Sequence, residues 1–379
     1  MKKIIVLILI VFTAFSKMNA QEQNTITTAA PFLLIAPDAR AGGMGDIGVA
    51  TSPDANSQHW NASKFAFMSS QYSIGVTYTP WLRELTNDVF LGGFSFANRI
   101  DDRSAWATSL KYFNLGQIDL TDINGLPEGT EKLNEFSIDA SYSLKLNETF
   151  AMGVTMRYIR SDLGIESAYS PIQPVNTFAV DISGYFQSDE RNYGNFNGIW
   201  RGGFNISNIG PKVSYSDDGQ DNFIPTNLKI GGGFDFILDS YNKVSVNLEF
   251  NKLLVPTPSI SIAGDGTPPY EQDDVSFFSG IFKSFGDAPG GFSEELKEFT
   301  WALGAEYMYD NSFAIRAGYF NESDLKGARK YFTLGSGFNF KSSKIDISYL
   351  FNASDINNPL ENTLRFSLSF DFGELFEIN

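Results

Sequence analysis

Residues 364–372 alternate strictly between apolar and polar side chains. One side of this segment carries Leu364, Phe366, Leu368, Phe370 and Phe372, and the other carries Arg365, Ser367, Ser369 and Asp371. Because neighbouring side chains of a strand point to opposite faces, the pattern predicts a ribbon with one apolar and one polar face. The pattern recurs about fourteen times along the chain, which predicts a large all-β structure.

The chain begins with the features of a secretory signal peptide. Residues 1–20 combine a basic start at Lys2 and Lys3, an apolar stretch over residues 4–15 and the small residue Ala20 before an expected cleavage point. The apolar stretch is short for a membrane-spanning helix, and no later segment reaches the necessary length. Since lipid offers no partner for unpaired backbone groups, only helices and closed barrels span membranes. The sequence therefore predicts a transmembrane antiparallel β-barrel of about 14 strands in the outer membrane.

The strands and their connections can be placed from the alternation. Strands are expected at residues 71–79, 88–97, 104–113, 135–146, 149–160, 177–187, 199–208, 227–237, 243–251, 300–308, 312–320, 331–340, 344–352 and 363–372. Their connections alternate between short and long, as in bacterial barrels with short periplasmic turns and longer outer loops. The longest expected loops are residues 114–134, 161–176, 209–226 and 252–299. An even strand number places both ends of the barrel in the periplasm, where the mature amino terminus is also expected.

A segment without alternation separates the signal peptide from the first strand. Residues 38–67 read DARAGGMGDIGVATSPDANSQHWNASKFAF, in which four glycines allow a flexible, closely packing backbone. We expect this segment to fold into the lumen of the barrel. The predicted organisation is a signal peptide at 1–20, an N-terminal plug (hatch) at 21–69 and a barrel with long extracellular loops at 70–379.

Composition excludes several kinds of chemistry. The chain has no Cys, which excludes disulfides, thiolate metal sites and a cysteine nucleophile. His59 is the one histidine, so a histidine-based triad or a multi-histidine metal site is not expected. His59 is either a catalytic or gating residue or a hydrogen-bonded packing residue of the plug, and we favour packing. The prediction is therefore a non-enzymatic protein with no catalytic, cofactor-binding or metal site. The formal net charge of −16 argues against nucleic acid as a partner.

Charged side chains on the strands are expected to face the lumen. Arg157, Arg201, Arg316 and Arg365 lie on or near strand faces opposite apolar residues. A charge that faces lipid at mid-depth costs about 2–4 kcal/mol, which directs these side chains inward. They would line a path for polar cargo or pair with acids such as Asp181, Asp235 and Glu306, and we favour pairing.

The longest predicted loop contains an unusually apolar stretch. Residues 274–285 read DVSFFSGIFKSF, whereas the rest of the loop at 252–299 is rich in proline, glycine and acidic residues. A long loop of this kind is usually functional or disordered. We expect the apolar stretch to fold back on the barrel rim or to contact a partner.

Two strings of the sequence resemble a known superfamily. The string at 38–67 resembles the N-terminal region of the FadL-like outer-membrane barrels, in which an Arg-x-x-x-Met-Gly opening leads to Asn-Pro-Ala. Here Arg40 to Gly45 matches the opening, and Asn61-Ala62-Ser63 stands in place of Asn-Pro-Ala. The closing string NNPLENTLRFSLSF at 357–370 is similar to the end of the same superfamily. Within it, the signal ending Asn19-Ala20-Gln21, the string ARAGGMGD and the close PLENTLRFSLSF resemble the PorV (LptO) family of the type IX secretion system of Bacteroidetes.

The resemblance implies a function in protein export. Members of this family receive cargo proteins with C-terminal sorting domains from the translocon barrel and pass them to the surface complex that processes and attaches them. The implied partners are the cargo, the translocon, the attachment complex and outer-membrane lipids, and the resemblance assigns no cargo-binding residues. The alternative is a FadL-like transporter of long-chain fatty acids or other hydrophobic small molecules. An apolar tunnel would favour the transporter, whereas a lumen closed by paired charges beneath an apolar outer rim would favour export.

Overall fold

The computed structural model describes residues 25–82, 86, 88–122, 124–163, 173–216, 221–260, 270–271, 275–354 and 361–376. The predicted signal peptide lies outside these residues. Fourteen long strands form the architecture. They are β1 Ser70–Pro80, β2 Phe90–Arg99, β3 Ser104–Thr121, β4 Pro127–Asn147, β5 Phe150–Asp162, β6 Val175–Gln187, β7 Asn197–Ile209, β8 Asn227–Ile237, β9 Asn242–Leu253, β10 Thr300–Tyr309, β11 Phe313–Asn321, β12 Lys330–Phe340, β13 Ser343–Asn352 and β14 Leu364–Leu375.

The strands close into a cylinder. Each strand pairs antiparallel with its neighbour in sequence, and β1 pairs with β14, for example at Tyr72 and Phe372. The β6–β7 connection is long but adds a two-residue ladder, in which Arg191–Asn192 pairs with residues 197–198. Every predicted strand is present, which confirms the antiparallel barrel.

Alternation places apolar side chains outside and polar side chains inside. In β14, Phe366 and Phe370 are 38% and 37% exposed, whereas Arg365 is 2% exposed. In β13, likewise, the apolar Ile345 and Ile347 are exposed, whereas the polar Asp346 and Ser348 between and beside them are buried. In the part of the chain that the structure describes, no helix has the length and apolarity needed to cross a membrane.

The predicted loop at 114–134 is wrong, because β3 and β4 extend far beyond their neighbours. Residues Gln117–Thr121 pair with 127–132, and the intervening connection is reduced to a short turn. The register shifts after Asn114, where Gly116 adopts a φ of +87° that suits glycine. Ile118 and Leu120 alternate with Gln117 and Asp119 on the β3 side, but residues 127–132 of β4 show no alternation, so the sequence does not mark both halves of the extension as strands.

The two ends of the cylinder differ in their connections. The turn end carries the connections 100–103, 148–149, 188–196, 238–241, 310–312 and 341–342, all of them short except 188–196. The loop end carries the remaining connections, of which 254–299 is the longest. That connection includes two short helices, α3 Phe277–Lys283 and α4 Phe292–Glu295, followed by a 3₁₀ turn at Leu296–Glu298.

Residues 25–69 form a luminal segment. They include the short helices α1 Ala39–Gly42 and α2 Ser57–Trp60 and the 3₁₀ helices Pro31–Leu34 and Ala62–Phe67. Within the segment, Thr27, Pro31 and Ser69 alone are fully exposed. Its hydrogen bonds reach inward side chains around the cylinder, including Ser367, Thr333, Glu249, Ser183 and Ser141.

The luminal segment runs lengthwise through the cylinder. At the loop end the Ala29 N–H donates to the Phe223 carbonyl at 2.9 Å, whereas Phe67 and Ser69 lie beside turn-end residues such as Lys341. The described chain therefore starts at the loop end, and this segment crosses the lumen once before β1. The predicted mature amino terminus at residue 21 lies outside the described residues, so its expected periplasmic position stays a prediction.

Candidate functional site

Paired charges fill part of the lumen. Arg157 lies between Asp139 and Asp181, with Nε to Oδ1 and Nη2 to Oδ2 distances of 2.7 and 3.0 Å. Arg201 pairs with Asp235. All of these side chains are at least nine-tenths buried. The predicted inward orientation and pairing of both arginines are confirmed.

A second group of charges joins the luminal segment to the barrel wall. Glu306 accepts from Arg316 Nε at 2.6 Å and from Arg40 Nη2 at 3.1 Å, and Arg40 belongs to α1. Arg316 also binds Asp346 at 2.6 Å. Arg365 donates through Nη1 to Asp46 of the luminal segment at 2.7 Å. Burying one partner of such a pair without the other is costly, so these contacts fix the segment to the strands.

Asn61 secures the part of the luminal segment that differs from the superfamily string. Its side-chain oxygen caps the 3₁₀ helix by accepting from the Ser63 N–H at 3.1 Å. Its amide nitrogen donates to the carbonyls of Val49 and Gly184 at 2.9 Å each. Asn61 therefore ties two parts of the segment to strand β6.

His59 is placed as a packing residue. Its Nδ1 lies 2.9 Å from the Lys111 ammonium, which also donates to the Leu33 and Ile35 carbonyls. Its ring meets Trp60 edge-on at 4.7 Å between centroids. No described hydroxyl or acid contacts this imidazole, so the arrangement offers it no nucleophile to activate.

The loop end of the lumen contains an apolar cluster that the luminal segment helps to fill. Phe32 and Leu33 of its first 3₁₀ helix pack in one cluster with Trp81, Phe113 and Ile159 of the barrel and loops. This region would be the natural place for a hydrophobic ligand. It is occupied here by side chains of the chain itself.

Two larger cavities lie among the residues that the structure describes, and charged side chains contribute to the lining of both. One of about 480 Å³ lies towards the loop end, between residues 25–28 and the side chains of Lys229, Glu298, Glu322 and Arg329. The other, of about 620 Å³, lies towards the turn end. Its charged lining comprises Arg40, Asp54, Glu190, Arg201, Asp235, Lys243, Glu306, Arg316, Lys341, Lys344 and Asp346. Neither cavity is an apolar tunnel.

A buried ionic clasp holds the longest loop to the barrel. Lys252, at the loop end of β9, donates to Glu295 and Glu298 at 2.7 Å each, and its side chain is fully buried. Lys326, from the β11–β12 connection, donates to Glu294 at 2.6 Å and to Glu298 at 2.9 Å. We call these five residues the ionic clasp. Because its members come from three separate parts of the chain, it fixes the loop over the rim.

The contacts within the clasp favour the ionised form of the Glu298 carboxyl. Burial raises the pKa of the Glu298 carboxyl, but hydrogen bonds from Lys252, Thr257 and Lys326 outweigh burial and hold the pKa below its usual range. Burial, together with the charges of Glu298 and Glu295, raises the pKa of the adjacent Asp287 to about 6, against a stabilising hydrogen bond from the Thr257 N–H. Glu298 is therefore charged at neutral pH and pairs with both lysines of the clasp.

Among the residues that the structure describes, three acids of this region lie close enough together to hold a cation. Carboxylate oxygens of Asp287, Glu295 and Glu298 lie within 4.8 Å of one another. The ammonium groups of Lys252 and Lys326 already contact the two glutamates. Lysines therefore neutralise this cluster in the way that a metal ion would.

The loop that the clasp holds carries five exposed apolar side chains, which we call together the aromatic patch. It consists of Phe278, Phe282, Phe285, Phe292 and Leu296. Phe282 and Phe292 are 77% and 76% exposed. Residues four apart on a helix share a face, which groups Phe278 with Phe282 and Phe292 with Leu296. Large exposed apolar patches mark interaction surfaces.

The opposite side of α3 packs closely on the loop beneath it. A Cβ at Gly280 would lie 2.7 Å from the ring of Phe223, so only glycine fits without movement. The apolar stretch predicted at 274–285 thus both folds onto the rim and presents aromatic side chains outward. Residue 274 itself lies outside the described residues.

Sequence reasoning missed the clasp and several luminal partners. Lys252 and Glu295 are 43 positions apart, and Arg365 and Asp46 are 319 apart. Neither pair leaves a local pattern. The one available signal was the excess of acids in the 252–299 loop, which required a cation nearby.

Comparisons with known proteins agree with this architecture. A family model described as "Type IX secretion system protein PorV" matches residues 18–260. No curated protein matches the chain significantly. Among solved structures, the toluene transporter TbuX of Ralstonia pickettii is similar with a TM-score of 0.52 and 11% identity, covering 89% of this chain and 98% of that chain. The CymD monoaromatic hydrocarbon channel is similar with a TM-score of 0.51 and 13% identity, covering 90% of this chain and 99% of that chain. At these identities the structures establish a shared FadL-like fold.

Proposed function

The chain belongs to the PorV family of type IX secretion system proteins, and we propose that it binds secreted cargo with C-terminal sorting domains and passes it to the surface attachment complex. The family and the FadL-like barrel establish an outer-membrane component of this secretion system. The finer role is our proposal. Cargo would arrive from the translocon barrel and be held at the loop end without catalysis by this chain.

The aromatic patch carries this proposal. Aromatic side chains on a fixed surface contribute large contact areas and are enriched among residues that dominate interface energies. The ionic clasp fixes the loop, so little ordering would be needed when cargo binds. The patch therefore has the features of a docking surface for a folded sorting domain.

The luminal segment supports a role in binding at the surface over a role as a pore. We propose that residues 25–69 act as a permanent plug of the barrel. Their buried ion pairs with Glu306 and Arg365 would have to break before a wide channel opened. Cargo would accordingly be handled outside the barrel and not through it.

A pull-down tests the docking surface. Purified protein carrying Phe282→Ser and Phe292→Ser should recover far less of an immobilised sorting-domain fusion than the wild type does. The control is Tyr241→Ser, which removes a similarly exposed aromatic residue at the turn end. Equal recovery by the patch variant and the control would remove the patch from this account. Deletion of the gene should leave sorting-domain proteins unprocessed, and normal export in that strain would contradict the proposed role itself.

The alternative is a transporter of hydrophobic small molecules. The cavity of about 480 Å³ favours it, because Ile26, Leu34, Trp60 and Phe320 contribute apolar lining. The charged side chains in the same lining oppose it. Vesicles containing the protein should take up labelled long-chain fatty acid no faster than empty vesicles, and faster uptake would support the transporter.

A further inference from the structure

The extension of β3 and β4 stands apart from the rest of the barrel. Residues 115–121 and 127–133 continue as a two-stranded ribbon, which we call the projecting hairpin. Pairing between β2 and β3 stops at Phe90 and Asn114, and pairing between β4 and β5 stops at Asn134 and Asp162. Among the residues that the structure describes, none pairs with the outer edges of this ribbon.

Backbone directions show which groups the β3 edge offers. The Gln117 N–H donates to Asp88 Oδ2 at 3.1 Å, away from β4. The Asp122 N–H donates to the Leu126 carbonyl at 2.8 Å, towards β4. Because backbone groups alternate in direction along an antiparallel strand, the N–H and C=O of Asp119 point to the free edge. Those of Ile118 and Leu120 point into the hairpin.

The projecting hairpin lacks the support that strands normally have. Gln117, Ile118, Asp119, Gly129 and Thr130 are all exposed, so neither face of the ribbon is covered. Isolated two-stranded ribbons are marginally stable in water, and an open edge is a template for a further strand. Asp88 accepts the outward N–H of Gln117, whereas the outward groups of Asp119, the next position on this edge, stay open.

The charge of the projecting hairpin restricts its partner. Asp119 and Glu131, together with Asp122 of the adjoining turn, outnumber Lys132 among the charged side chains that the structure describes here. Opposite charges across paired strands are favourable, and like charges directly opposite are unfavourable. A strand added here would therefore carry basic side chains.

We propose that the β3 edge of the projecting hairpin binds an extended, basic segment of another polypeptide chain by strand addition. Main-chain hydrogen bonds at Asp119 supply the attachment, and the acids select lysine or arginine. The proposal is independent of cargo docking on the aromatic patch, because it rests only on the ladder and charge of the hairpin.

Two variants at one position test the main-chain contact. The full-length protein in nanodiscs is titrated with a short fluorescent peptide that alternates lysine and valine. Asp119→Ala and Asp119→Pro both remove the carboxylate, but only proline removes the outward N–H, and proline is tolerated at such an edge position. The proline variant should bind about tenfold more weakly than the alanine variant, since a hydrogen bond is lost and a peptide carbonyl is left unpaired. Equal affinities would overturn strand addition.

The peptide provides the complementary test. N-methylation of every residue, which blocks both edges of the peptide, should abolish binding, and so should replacement of each lysine by glutamate. Unchanged binding of the methylated peptide would overturn the pairing, and unchanged binding of the acidic peptide would overturn the charge selection. Hydrogen exchange at Ile118 and Leu120 should be equal in both protein variants, which establishes that the hairpin itself is intact.

Discussion

At the residue scale, one of the tightest glycine contacts joins Gly48 of the luminal segment to Trp60. A Cβ at Gly48 would lie 2.1 Å from the Trp60 ring, and the Gly48 N–H donates to Glu249 at 2.9 Å. Gly48→Ala must therefore push the indole aside and should lower the free energy of unfolding by about 1–3 kcal/mol. The folded barrel should run on gels as a separate band that disappears on heating. The urea concentration at which half of this band is lost measures the change in stability. Gly286→Ala is the control, because nothing lies within 4 Å of its Cβ, and equal midpoints for the two variants would contradict the packing.

A second residue-scale prediction concerns pH. The pKa of Asp287 is raised to about 6 by burial, so the closed loop binds a proton more tightly than the released loop. Lowering the pH from 7 to 5 should therefore stabilise the closed loop. Below that range Glu298, whose pKa is lowered, begins to protonate and its stabilising contribution is lost.

Hydrogen exchange over residues 277–298 tests the pH effect. Protection should rise from pH 7 to pH 5 in the wild type after correction for intrinsic rates. Asp287→Asn should already show the higher protection at pH 7 and should gain nothing on acidification. A wild-type loop whose protection falls across this interval would show that Asp287 does not control it.

At the element scale, the ionic clasp determines how firmly the longest loop is held. Lys252→Met leaves Glu295 without a cation and Glu298 with Lys326 alone. Removing one partner of a buried ion pair costs about 3–5 kcal/mol, so the loop should open measurably. The expected result is rapid proteolysis within 275–298, while the strands stay protected.

An exposed pair nearby provides the control for the clasp. Lys330 binds Asp324 at 2.7 Å, but the Asp324 side chain is 52% exposed. Exposed pairs contribute at most about 1 kcal/mol, so Lys330→Met should leave the proteolysis rate almost unchanged. Similar cleavage of both variants would mean that the clasp is not what holds the loop.

The elements differ in how far the sequence predicts them. Strands β5 to β14 follow from alternation because each has one face towards an apolar medium and one towards a polar interior. The projecting hairpin is less clear, because Ile118 and Leu120 alternate with polar residues on one strand, whereas residues 127–132 of the other strand show no alternation. The clasp could not be predicted either, because contacts between residues 43 positions apart depend on how the loop folds.

At the scale of the whole molecule, the cylinder presents its apolar face to lipid and its charges to the interior. Ile347→Arg places a cation on the outer face near the middle of β13 and should cost about 2–4 kcal/mol. Phe340→Arg, at the turn end of β12, should cost about 0–1 kcal/mol because the side chain reaches the interface. Unfolding in urea from lipid vesicles measures both, and equal costs would contradict the assigned membrane depth.

The interior was predictable in kind and in the pairs Arg157–Asp181, Arg201–Asp235 and Arg316–Glu306, but not in its other pairings. The inward orientation of Arg157 and Arg316 follows from the cost of exposing charge to lipid. Their partners Asp139 and Asp346 lie on adjacent strands, where register is set by turns and bulges that the sequence shows only weakly. Asp46, which binds Arg365, belongs to a segment without any repeating pattern.

The lengthwise course of residues 25–69 constrains how the protein assembles. These residues precede β1, and β1 forms the final seam with β14. Their contacts reach strands on every side, so entry into a finished ring would require many buried bonds to form in a confined space. A peptide of residues 25–69 should therefore associate with residues 70–379 when the two refold together and fail to do so when it is added afterwards. Biogenesis of this protein is then a wrapping process. The residues that arrive first form a template, and the later strands pair with one another around it.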